Sequence, residues 1–162
     1  MSEFNYYVNG NANGFLKNGN DFLEAAKRSA GMKENGSISV LGTDGPRMIP
    51  SATVVNAAFA MEMYLKALLL KTKGSYPKGK DGHNLLTLYE ELPNETKQFI
   101  DKIIGYSKDG HPLFATFASI HKTDFVDIRY YVENCGWEGM DPFTMIAYVF
   151  NMGQATNWYC SN

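Results

Sequence analysis

Phe59-Ala60-Met61-Glu62-Met63-Tyr64-Leu65-Lys66-Ala67-Leu68-Leu69-Leu70 is fit for a protein core at nearly every position. Its apolar residues fall on all sides of a helix, which marks a central helix with neighbours all round. Glu62 and Lys66 interrupt the run. Standing four apart, they meet on one helical face. A buried charge is costly unless it is paired and hydrogen-bonded, so each is expected to hold the other. Phe125-Val126-Asp127-Ile128-Arg129-Tyr130-Tyr131-Val132-Glu133 repeats the arrangement with Arg129 and Glu133. One economical packing brings both pairs together across a helix interface, as a structural network or as a site.

Outward from the central helix, the apolar spacing stays helical. A first helix is expected over about Val8 to Ala30, with Phe15, Phe22, Leu23 and Ala26 on one side. Residues 31–50 turn loop-like through Asn35-Gly36, Gly42 and Asp44-Gly45-Pro46, with room for a short strand at Ser37 to Leu41. Ser51 is the expected N-cap of the central helix, which ends near Gly74. A flexible stretch, Gly74 to Gly82, separates it from a short helix carrying Leu85, Leu88, Tyr89 and Leu92. Asn94 is expected to cap the next helix, and Leu113 to Ile120 reads as another. Thr123 is placed to cap the Phe125 helix. Asp141 with Pro142 opens a last helix reaching about Tyr159. The expectation is an all-α, up-and-down bundle of four to five main helices in one domain over residues 1–162, with loop insertions at about 31–50 and 74–82.

Composition narrows the function. Apolar residues make up 44% and charged residues 20%, ordinary for a soluble globular protein. A net charge of −2 gives no global basic field, so nucleic-acid binding would fall to a local patch. Lys71, Lys73, Lys78 and Lys80, with Tyr76 among them, supply one suited to phosphate contact and base stacking; the alternative is a solvated loop. Cys135 and Cys160 make neither a disulfide framework nor a Cys-x-x-Cys motif. His83, His111 and His121 are scattered, so no metal site and no cofactor is expected. Val54 to Leu70 is shorter than the roughly 20 residues of a membrane span and carries Glu62 and Lys66 at its centre. Met1 to Gly10 lack a basic region followed by an apolar core, so no signal peptide is expected there. The chain therefore reads as cytoplasmic, with reduced thiols and no membrane. Gly82-His83-Asn84-Leu85 sits at a helix start. His83 there either closes the loop or joins the polar cluster as an acid or base.

The central run with Glu62 and Lys66, then Gly82-His83-Asn84-Leu85 with Leu88, then Phe125 to Tyr130 with Glu133, together resemble the HEPN superfamily of small helical domains. The resemblance covers about Gly14 to Glu133 and implies a homodimeric bundle. Such domains act as metal-independent ribonucleases in toxin–antitoxin and anti-phage systems, with an antitoxin protein as partner, or as non-catalytic modules binding RNA or a nucleotide. Active members carry an arginine, a polar residue, and a histidine four to six positions after the arginine. Arg129 matches the arginine, Tyr130 stands where the polar residue is usual, and Asn134-Cys135-Gly136 holds no histidine. The resemblance thus implies RNA or nucleotide binding through Glu62, Lys66, Arg129, Tyr130, Glu133 and the four lysines, with weak or no cleavage. Two alternatives stand beside it: an active endoribonuclease using Arg129 with His83 or His121, and a non-catalytic structural dimer or adaptor.

Overall fold

The computed structural model describes residues 6–8, 10–32, 50–120, 122 and 142–162. In chain order these form β1 (Tyr6–Val8), α1 (Ala12–Ser29), α2 (Pro50–Lys73), β2 (Ser75–Pro77), a 3-10 turn (Asp81–His83), α3 (Leu85–Glu90), α4 (Asn94–Ile104), α5 (Leu113–Ile120) and α6 (Pro142–Ser161). Arg129, Tyr130, Glu133 and His121 lie outside the described residues, as do Ser37 to Leu41, Thr123 and Asp141.

α2 is the axis of an all-α bundle. Val54, Ala57, Ala60, Met61, Tyr64, Leu65, Leu68 and Leu69 are inaccessible to solvent, and the helix packs chiefly on α1, then on α6 and α3. Burial on every side removes the usual polar stripe, which is why Glu62 and Lys66 end up inside. By length and composition Ser51–Lys73 could cross a bilayer, and 78% of its most apolar window is buried in the fold. The partners contribute one face each: Leu23 and Ala26 from α1, Leu85 and Leu88 from α3, and Met145, Val149 and Met152 from α6.

The element boundaries differ from the sequence expectation in four places. α1 starts at Ala12, not Val8, because Asn11 caps it by accepting from the Gly14 amide at 3.1 Å. Tyr6–Val8 instead pairs antiparallel with Ser75–Pro77, Tyr7 facing Tyr76. The stretch from Gly74 to Gly82 is therefore not simply a flexible loop: it holds β2 and the 3-10 turn. α2 begins at Pro50, which puts Ser51 inside the first turn instead of at the cap. Proline suits that first position because it gives up an amide that no helix end satisfies. Asn94 likewise lies inside α4, with Pro93 at the cap position.

Candidate functional site

The site is assembled on one face of α2 and closed by the segment after it. Lys66 Nζ donates to Glu62 Oε1 at 2.6 Å across one helical turn, with 8% and 3% of their side chains exposed. At such burial the attraction is poorly screened, and an unpaired member would be costly. Lys66 Nζ also lies 5.2 Å from the centre of the Tyr76 ring, within cation–π range. Tyr76 is held edge-on against Phe15 of α1 at 5.3 Å. The β1–β2 ribbon thus delivers an aromatic lid to a buried ammonium.

The third member arrives from 21 residues further on. His83 Nδ1 lies 3.2 Å from both Oε1 and Oε2 of Glu62. Each residue of Gly82-His83-Asn84-Leu85 has a separate task here. A Cβ on Gly82 would run into the Pro77 carbonyl oxygen, so only glycine lets the turn lie against β2. His83 reaches the carboxylate. Asn84 caps α3, accepting from the Thr87 amide at 3.1 Å, and Leu85 anchors that helix in the core. The carboxylate is buried while half of the His83 side chain is exposed. The network therefore meets solvent through an imidazole.

The four lysines divide. Lys71 Nζ donates to the Cys160 carbonyl at 3.3 Å, and Lys73 pairs with the Glu91 carboxylate at 2.6 Å while also donating to its carbonyl. Both make these bonds from exposed positions at the end of α2. Lys78 and Lys80 are exposed on the segment between Tyr76 and His83. His111 is exposed in the turn before α5 and touches none of this.

Sequence spacing reveals the Glu62–Lys66 pair and leaves His83 between closing the loop and joining the cluster; the contact with Glu62 is the second of these, while the contact with Tyr76 is not signalled. No local pattern signals a contact between an α2 carboxylate and a turn 21 positions later. The glycine before His83 is the available cue, since a backbone crowded against its neighbour needs one. Among the described residues, no group of histidine, cysteine, aspartate and glutamate is placed to hold a metal ion.

Residues 49–119 match the family model described as HEPN domain. Over that span, a little under half of the chain, the sequence is similar to a HEPN domain. The matched span contains Glu62, Lys66, Tyr76 and His83 and ends before Arg129. No curated protein and no solved structure matches the chain. A HEPN domain supports, in general terms, a function connected with RNA or nucleotides.

Proposed function

We propose that this HEPN-like chain is a homodimeric RNA- or nucleotide-binding protein with little or no cleavage activity, its ligand meeting the network at His83. One observation carries the reading: a buried ion pair, Glu62 with Lys66, is extended to the surface by an imidazole held on both carboxylate oxygens. A purely structural pair needs no such outlet. Lys78 and Lys80 flank that outlet in sequence and supply cations for phosphate, while Tyr76 fixes the ammonium behind it. In a toxin–antitoxin or anti-phage setting the protein partner would be an antitoxin. Trp158 on α6, 56% exposed, supports self-association, because large aromatics favour interfaces. Sedimentation at micromolar concentration is expected to show a two-chain species.

A second reading, metal-independent ribonuclease activity, is favoured by the Glu62–His83 contact specifically. A carboxylate that accepts the Nδ1 proton fixes the tautomer and makes Nε2 the nitrogen that exchanges protons, as a general base at a ribose 2′-hydroxyl requires. Arg129 would then serve the phosphate.

Fluorescence anisotropy of a labelled single-stranded RNA in metal-free buffer tests both. Affinity should fall as salt rises, since phosphate binding releases counterions. Lys78→Ala with Lys80→Ala should weaken binding and reduce the logarithmic salt slope by roughly one for each phosphate no longer neutralised. Lys71→Ala with Lys73→Ala should leave that slope unchanged. RNA recovered intact supports the first reading. Cutting by wild type that His83→Ala abolishes establishes the second. Failure of both RNA and nucleotides to bind at low salt leaves the structural adaptor.

A further inference from the structure

α2 has a second face with polar chemistry. Tyr64 lies two positions from both Glu62 and Lys66, about 200° around the helix, and looks toward α1 and α6 instead of toward β2. Glycines on both neighbours make room for its ring. A Cβ on Gly19 would stand 2.6 Å from Tyr64 Cε1, and one on Gly153 would stand 2.8 Å from its hydroxyl oxygen. Above this ring, between α1 and α6, runs a groove of about 260 Å³. That is just below the roughly 300 Å³ at which sites for drug-sized ligands begin, room for one ring system.

The walls carry a matched donor and acceptor. Asn157 Nδ2 donates to the Gly153 carbonyl at 2.8 Å, which fixes the orientation of its amide, and lies 3.5 Å from Asn20 Oδ1. Asn20 Oδ1 accepts the Tyr64 hydroxyl at 2.9 Å. With both amides oriented in this way, the Nδ2 donors of Asn20 and the Oδ1 acceptor of Asn157 remain unused among the described residues, and Gln154 adds a third carboxamide to the lining. The charges cancel, because Lys27 pairs with Glu24 at 2.7 Å. Phe150 offers a partly exposed ring on the same wall, with Lys27 Nζ 5.4 Å from its centre.

We propose that this groove is a second ligand site, for a neutral planar heterocycle with adjacent donor and acceptor atoms on its edge, that is, a nucleobase or nucleoside. The edge pairs with Asn20 and Asn157, as carboxamides pair bidentately with bases, and Phe150 covers a ring face by stacking. Cancellation of charge at Glu24–Lys27 leaves no net cation to prefer a phosphate. The site is independent of the reading centred on His83, which lies on the other face of α2.

Saturation-transfer NMR on the full chain with adenosine, guanosine, cytidine and uridine tests it. At least one nucleoside should give saturable transfer to the wild type. Phe150→Ala and Asn157→Leu should each weaken it roughly tenfold, the worth of one stacking interaction or hydrogen bond, with melting temperatures showing that both variants are folded. His111→Ala, at an exposed position that lines neither site, should leave it unchanged. Absence of transfer from all four nucleosides to the wild type would overturn the proposal. So would transfer that persists undiminished in either folded groove variant, or transfer that His83→Ala abolishes, since that ligand would sit at the other site.

Discussion

Glu62 and Lys66 show how far a residue-level argument reaches. Their spacing alone says that they pair and that the pair is internal, because every other position around them is apolar. Double substitution tests the energetics of that pairing. Lys66→Met should cost about 3 kcal/mol, since it leaves a buried carboxylate with the His83 imidazole beside it in place of a full ammonium partner. Adding Glu62→Gln should recover much of that loss, because an uncharged pair of similar volume carries no such penalty. Additive losses in denaturant melts would show that the two side chains do not act as a buried pair. A second residue prediction concerns Asp101, which accepts the Tyr89 hydroxyl at 2.8 Å inside the fold. Burial raises its carboxyl above the ordinary aspartate range, while the Tyr89 hydrogen bond and the charge of Lys97 partly offset the rise. The folded chain therefore keeps this proton to higher pH than the unfolded chain. Its contribution to stability is present in acid and is lost as pH rises through the folded value. Asp101→Asn still accepts from Tyr89 and does not titrate. Its melting temperature relative to wild type should improve from acid toward neutral pH, and a gap constant across that range would contradict the account.

At the scale of elements, the helices are legible in the sequence and their small companions are not. α2, α5 and α6 follow from predominantly apolar segments with turn residues at their ends. The β1–β2 ribbon is three residues per strand, too short for alternation to register, and its pairing joins segments separated by two helices. Its consequence is positional: it carries Tyr76 to Lys66. The packing of α1 and α6 across Tyr64 is equally invisible: Gly19 and Gly153 read in sequence as weak points of helices, where glycine costs about 1 kcal/mol. In the fold they are where a tyrosine ring fits. Gly19→Ala and Gly153→Ala should each destabilise the protein by about 1–3 kcal/mol through overpacking. In a Tyr64→Phe background the Gly153→Ala loss should shrink, because the hydroxyl is the nearest atom there. The Gly19→Ala loss should persist, because the ring edge is the nearest atom. Equal losses in both backgrounds, by thermal melts, would contradict this geometry.

For the whole molecule, the class of fold is decided by one helix too apolar to lie anywhere but the centre. The site is half decided, because its acidic and basic members are local to α2 while its imidazole comes from a distant turn. The central claim is that this imidazole is where the ligand meets the protein. Only three histidines occur in the chain, so their side-chain signals can be assigned by single substitutions. Two-dimensional NMR of the imidazole nitrogens, recorded while single-stranded RNA is added at low salt, measures the claim directly. The account predicts that the His83 signals shift and saturate with RNA while those of His111 stay in place. Saturable binding that leaves the His83 signals unmoved would place the ligand elsewhere and contradict it.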